Sequence, residues 1–276
     1  MNKLPHQKQA QVIAALVEGA SINGTCRMTG VAKHTILKLI ADLGKVCWEY
    51  QDKALRNLSC TKIQADEIWN FCYAKEKNVP KNKRGKFGYG DVWTWVALDP
   101  DTKLVPCWYV GGRDAASAKA FMEDLASRLS NRVQLTTDGY KAYLRAVEGA
   151  FGADIDYSQL VKIYGENKGE GKYSPGECCG AIPTPVTGNP DPRHINTSHV
   201  ERQNLTMRMC MRRFTRLTNA HSKKIENLMY SISIHYFYYN FVRINQAIRC
   251  TPAVKAGVTE HVWSIEEMVS LLGAKS

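Results

Sequence analysis

"KIQADEIWNFCYA", residues 62–74, is the stretch from which the rest of the chain can be ordered. It is rich in Ile, Trp, Phe and Tyr and predicts a strand. Asp66 falls inside it, where a carboxylate is costly unless it is paired or holds a metal. Glu67 follows directly. Successive strand residues face opposite sides, so only one of these two acids is expected to point into any site. C-terminal to this strand comes "NVPKNKRGKFGYG" (78–90), a basic loop punctuated by glycine. Two further strands are predicted in "DVWTWVALDP" (91–100) and "KLVPCWYVGG" (103–112), with Pro106 marking a bulge or edge. An amphipathic helix capped by Asp114 (114–130), a short buried strand "RVQLTTDGY" (132–140), a helix (141–152) and a fifth strand "DIDYSQLVKIYG" (154–165) complete the run.

Working toward the N-terminus, "GKVCWEYQDKALRNLSC" (44–60) predicts a helical connector. Before it, "QKQAQVIAALVEG" (7–19) sets Val12, Ile13, Leu16 and Val17 on one helical stripe that ends at Gly19. Ser21 caps a second helix that closes at Gly30, and "KHTILKLIADLG" (33–44) gives a third. This third helix directs Ile36, Leu37 and Ile40 inward and Lys33, His34, Thr35 and Lys38 outward. Three short helices with a glycine turn between the last two form a helix-turn-helix pattern, whose second member enters the major groove of DNA.

The balance of charge agrees with such a partner. The chain of 276 residues carries 37 Lys and Arg against 26 Asp and Glu, a formal net charge of +11. A polyanion is the expected partner, nucleic acid before an acidic membrane surface. No uninterrupted apolar run reaches membrane-spanning length and the first residues lack a signal-peptide core, so a cytoplasmic, nucleoid-associated location is expected. The nine cysteines are scattered and odd in number, which argues against a disulfide framework. Cys178, Cys179, His194 and His199 are the one cluster to weigh as a zinc site, and adjacent cysteines chelate one ion poorly. No Walker-type phosphate loop is present.

Beyond the fifth strand a Gly- and Pro-rich segment, 166–195, lacks periodicity and predicts a loop or flap. "TSHVERQNLTMRMCMRRFTRL" (197–217) then reads as a helix with Glu201 as its lone acid among arginines, and "SKKIENLMYSISIHYFYYNFVRINQ" (222–246) as another. Three acids stand out by position. Asp66 is mid-strand, Asp138 ends the "VQLTTD" strand, where ligands of α/β sheets bind, and Glu201 opens a helix. Each has an ordinary alternative: a turn for Asp138, Glu67 in place of Asp66, a helix-dipole complement for Glu201. Three convergent carboxylates would suit two Mg²⁺ ions, with Mn²⁺ as a substitute. The basic loop (Lys81, Lys83, Arg84, Lys86) could grip phosphates or simply face water. Trp69, Trp93 and Trp95 could stack on a flipped base, although strand tryptophans are more often core.

"ADEIWNF", "TTDGYKAY", "HVERQNLTMRMCMRRFTRLTNAHSKK" and "NFVRINQAIRCTPAVKAG" resemble, in this order, the motifs of insertion-sequence-one-type DDE transposases. The resemblance spans roughly residues 10–258. It implies an α/β, ribonuclease-H-like (integrase-type) mixed sheet flanked by helices, preceded by a small all-α helix-turn-helix domain. The strand order read above agrees with that fold. It also implies that Asp66, Asp138 and Glu201 are the metal-binding catalytic triad, with Arg208, seven residues after the Glu, as a basic companion. The zinc-binding cysteines that some relatives carry ahead of the helix-turn-helix have no counterpart here. The expected plan is 1–45 for DNA binding, 46–60 as connector, 61–246 for catalysis and 247–276 as a tail helix. Expected DNA contacts are Lys33, His34, Thr35, Lys38, Lys83, Arg84, Arg202, Asn204, Arg208 and Arg212. The implied reaction is hydrolysis at mobile-element ends followed by 3′-OH strand transfer into target DNA, by a homodimer or larger assembly. A nuclease without strand transfer and a transposase-derived DNA-binding regulator are the alternatives.

Overall fold

The computed structural model describes residues 4–165, 178–216 and 218–273. Its centre is a six-stranded mixed sheet of β1 (Lys62–Cys72), β2 (Gly90–Leu98), β3 (Trp108–Gly111), β4 (Gln134–Asp138), β5 (Asp156–Tyr164) and β6 (Cys178–Thr187), in the order β3-β2-β1-β4-β5-β6. β1, β2 and β3 pair antiparallel. β4 runs parallel to both β1 and β5, and β6 closes the far edge antiparallel to β5.

Alternation along β1 builds two apolar layers. Ile63 and Ala65 join Trp95, Leu135, Phe121 of helix α4 (Ala115–Ala126) and Tyr143 of α5 (Ala142–Phe151). Ile68 and Cys72 point the other way and pack with Val200 and Met207 of α6 (Ser198–Cys210) and Ile232 of α7 (Ile225–Phe237). Asp66 therefore belongs to the face under α6, and Glu67 to the face under α5. α4 starts where its sequence says it should, since Asp114 accepts from the Ser117 N–H at 2.8 Å.

At the N-terminus, α1 (His6–Val17) and α2 (Ile22–Thr29) have the expected bounds. Ser21 caps α2 by accepting from the Gly24 N–H, and Gly30 ends it in the left-handed region at φ 69°. The third helix, α3 (Lys33–Ala54), does not stop at Gly44 but continues through the connector for 22 residues. Gly44 is a notch and not a terminator. A Cβ placed there would lie 2.4 Å from Tyr230 Cβ, so the missing side chain is what lets α3 and α7 approach. Ile13, Ile36 and Leu43 of these helices are continuous with the apolar layer over β1 and β4.

Four other expectations are corrected. Residues 178–187 of the segment read as a loop form β6; residues 166–177 lie outside the described residues. An edge strand exposed on both faces has no buried side to impose alternation, and Pro183 and Pro185 are tolerated there because an edge has a side without ladder bonds. The helix expected over 197–217 ends at Cys210, where Met211 turns to extended backbone so that Phe214 can re-enter the core. The long final helix is α7 followed by a π-helical turn, Tyr238–Val242, that stacks Phe237 on Phe241 at 4.9 Å against Trp263. Two short helices, α8 (Pro252–Lys255) and α9 (Ile265–Ser270), follow in place of one tail helix, and α9 lies against α1, where His6 meets Ser270. Among the described residues no helix is long and apolar enough to cross a membrane.

The Gly44 notch can be tested directly. Gly44→Val is expected to lower unfolding free energy by about 1–3 kcal/mol through overpacking, read as a shifted urea midpoint.

Candidate active site

The register of the parallel pair β1–β4 creates the site. Gln64 lies opposite Thr136 and Ala65 opposite Thr137, and the ladder stops there. The next residue on each strand is an acid, Asp66 and Asp138, so two carboxylates stand abreast at the point where the strands part. Asp138 also ends β4, and its Oδ1 accepts from the Tyr140 N–H at 3.0 Å.

Glu67 joins them. Ligand oxygens of Asp66, Glu67 and Asp138 all lie within 4.8 Å of one another. The alternation argument, that only one of Asp66 and Glu67 can reach the site, fails because Asp138 sits at a strand end and is reached from both faces. Among the described residues this is the one cluster of His, Cys, Asp or Glu close enough to share an ion, and Cys178, Cys179, His194 and His199 do not form another. His199 turns away, its Nδ1 lying 3.2 Å from Lys103 Nζ.

Burial and mutual repulsion make the cluster electrostatically costly. Asp66 is pushed up to about 6, first by burial and then by the charge of Asp138, with Glu201 adding to it. Glu67, its side chain only 1% exposed, is pushed up to about 8 by burial and by Asp138 and Asp66. Two neighbours offset part of this. Arg113 lies 3.5 Å from Glu67 and 3.7 Å from Asp138, held over the rings of Trp93 and Tyr140. Asn204 Nδ2 donates to Asp66 Oδ2 at 2.9 Å. An oxygen-rich, partly buried set of like charges with too little compensation fits a hard divalent cation.

Glu201 reaches this neighbourhood from α6, near enough to Asp66 for their charges to interact, but outside the tight cluster of three. Its Oε1 accepts from Lys162 on β5 and from Thr197. The helix that carries it is docked by Gln64, two residues before Asp66. Gln64 Oε1 accepts from the N–H groups of His199 (3.0 Å) and Val200 (3.1 Å), and its Nε2 donates to Asn196 at 2.6 Å. These are N-terminal amides that no residue of the helix itself can satisfy. One side chain of β1 thus fixes where Glu201 starts.

The expected DNA contacts divide. Lys33 and His34 are exposed at the start of α3, Thr35 is half-buried, and Lys38 is exposed beside Asp42 at 2.9 Å. Lys83 sits over the rings of Tyr73 and Tyr89, and Arg84 donates to the Val79 carbonyl at 3.0 Å. Arg202 and Arg212 are exposed, Arg212 beyond the end of α6. Asn204, also expected to contact DNA, is buried, and its amide donates to Asp66. Arg208 is half-buried and turned toward the carbonyls of Phe214 and Trp69. Gln64, Lys162 and Arg113 were not singled out from the sequence. Gln64 shares Asp66's parity on the strand, but Lys62 and Asn70 do too, so residue type alone did not single it out.

No family model and no curated protein matches this sequence. Solved structures similar to it include the Mos1 strand transfer complex, at 14% identity and a TM-score of 0.25, covering 57% of this chain and 59% of that one. The piggyBac transposase synaptic complex with hairpin DNA is similar at 11% identity and a TM-score of 0.43, covering 97% of this chain and 69% of that one. The Mos1 transposase paired-end complex with the left transposon end stands at 13% and 0.23. The chain thus spans about three-fifths of the Mos1 chains, and at these values the likeness carries no activity across.

Two outcomes follow from the geometry. Gln64→Ala is expected to cost about 1–3 kcal/mol, because the His199 and Val200 amides lose their acceptor, and Gln64→Glu, which keeps the acceptor but not the donor to Asn196, is expected to restore part of it. Chemical denaturation measures both. Glu67 holds its proton in the folded state between its ordinary range and about 8, while the unfolded chain has already lost it. Stability therefore falls as pH rises through that window. In EDTA, Glu67→Gln is expected to raise the midpoint temperature by about 3 °C or more at pH 8, and by much less at pH 4.5.

Proposed function

We propose that this chain is a DDE-type DNA transposase, with Asp66, Asp138 and Glu201 as its catalytic carboxylates. The observation that carries this reading is the β1–β4 register that brings Asp66 abreast of Asp138, with Glu201 arriving from α6. The sheet order, antiparallel over β1–β3 and parallel over β1, β4 and β5, supports a ribonuclease-H-like catalytic unit. Lys33 and His34, exposed at the head of α3 behind the Gly30 turn, support a helix-turn-helix that reads terminal DNA. The net charge of +11 supports a polyanionic substrate.

The donor set fits Mg²⁺, with Mn²⁺ able to substitute. Asp66 and Asp138 would hold it together with Glu201, and Glu67 stands beside them as a further acidic neighbour. When bound, a pair of such ions supplies activation of the attacking oxygen and stabilisation of the leaving one. The chain's own side chains prepare the site. Asn204 holds Asp66 in one orientation, Arg113 spans Glu67 and Asp138, and Lys162 offsets the charge of Glu201. Exposed Arg202 and Arg212 would meet backbone phosphates.

The reaction is two displacements at phosphorus. Water first adds to the phosphodiester at the element end, and the departing 3′ oxygen takes up a proton as a free hydroxyl. That hydroxyl then attacks a target phosphodiester, forming a new P–O bond as the target's own 3′ oxygen leaves. No covalent enzyme intermediate is required. Joining two ends calls for at least two protomers on DNA.

The test supplies plasmid carrying the element's ends, with Mg²⁺, and follows nicking and joining by gel and product sequencing. Asp66→Asn, Asp138→Asn and Glu201→Gln are each expected to reduce both by about a hundredfold or more. Cleavage without joined products would support a nuclease, and DNA binding without either would support a regulator. A thermal shift with Mn²⁺ that Asp66→Asn abolishes would separate loss of metal from loss of fold.

A further inference from the structure

A groove of about 700 Å³ opens beyond the carboxylates, along the C-terminal half of β1. One wall is aromatic. Trp69 and Phe71 share a strand face, with ring centroids 5.8 Å apart, and His221 extends the row at 4.6 Å from Phe71. Both aromatic residues are half-buried, unlike Trp95, which is wholly inside the core. The lining is also cationic. Arg208, Arg213 and Arg216 line it, and no Asp or Glu is among the described residues of the lining.

Among the described residues these guanidiniums have no partner of opposite charge. Arg208 makes only long bonds to the carbonyls of Phe214 (3.4 Å) and Trp69 (3.5 Å), and burial together with the charge of Arg216 holds it below the usual arginine range. Arg213 Nη1 donates to Ser222 at 2.6 Å, while its Nη2 is sealed from solvent without an acceptor. Crowded cations without counter-charges are costly in isolation, and an anion carrying a flat ring would offset them while stacking on the half-buried aromatic row. A duplex hides its base faces in the stack. A single strand presents them next to its phosphates.

We propose that this groove takes an unpaired nucleotide of a single DNA strand, its base stacked on Trp69 and Phe71 and its phosphate against Arg208 and Arg216. The assignment rests on the reading of the chain as a DNA-processing enzyme and adds the form of DNA that it holds. Arg213 supplies charge from behind the wall. Trp69 and Phe71 continue the Glu67 side of β1, so the row leads away from the carboxylate cluster along one strand.

The test uses the full chain in EDTA, with a fluorescein-labelled oligothymidylate and a blunt duplex of equal length, read by anisotropy. Trp69→Ala is expected to weaken oligothymidylate binding by about tenfold or more while leaving the duplex nearly unchanged, and Trp69→Phe to keep most of the affinity. Arg216→Ala is expected to reduce the salt slope for the single strand by about 0.7. Circular dichroism of each variant excludes loss of fold, and Trp69→Phe guards against it. Equal losses on both probes, or no loss with Trp69→Ala, would overturn the groove. Duplex binding with no oligothymidylate binding would overturn the groove and leave the DNA reading standing. Trp69-dependent single-strand binding in a protein that neither cleaves nor joins DNA would uphold the groove and defeat the transposase reading.

Discussion

The parallel pairing of β1 with β4 is the interaction on which this structure turns. Its backbone hydrogen bonds, ending at Ala65 and Thr137, hold Asp66 and Asp138 abreast against their own repulsion. Moving like charges apart would be the cheaper arrangement for an isolated chain. The sheet forbids it, because slipping the register by one residue would turn every side chain of β1 to the wrong face and take Ile63 and Ile68 out of the layers they pack in. The apolar layers on both faces of the sheet therefore impose the electrostatic strain at its centre. That strain is visible in the upward shifts of Asp66 and Glu67.

The surrounding residues manage this strain without removing it. Arg113 touches two of the acids and is itself held by two aromatic rings, which limits its freedom to pair fully with either. Lys162 is committed to Glu201 and Asn204 to Asp66. Gln64 matters for a different reason. By capping α6 it couples the strand that bears Asp66 to the helix that bears Glu201, so the two acids are positioned by one rigid pair of elements. The aromatic and cationic groove lies along the same strand, so the groove and the carboxylate cluster share one backbone.

Much of the architecture was legible in the amino-acid sequence. The strand around Asp66, the order of three strands followed by strand–helix alternation, the Ser21 and Asp114 caps and the Gly30 turn all rest on local rules, and the structure has them in place. Misreadings came where long-range packing overrode a local signal. Gly44 reads as a helix stop because glycine is a poor helix former, yet α3 continues since Tyr230 needs the space. β6 had no pattern to find, because an edge strand exposed on both faces has none. Met211 ends α6 where the apolar spacing would have continued it, because Phe214 is drawn back into the core.

The sequence by itself determined the candidates: three acids at a strand centre, a strand end and a helix start, within a strongly basic chain. Residue type and local position carry that information, since a buried carboxylate or an unpaired run of arginines is already anomalous in one dimension. Only the tertiary structure decided the company they keep. It added Glu67 to the cluster, withdrew Asn204 from the surface, gave Glu201 to Lys162 and gathered Trp69 and Phe71 with three arginines around one groove. Those relations depend on distances between residues remote in the chain, which the register of β1 against β4 and the docking of α6 on Gln64 set.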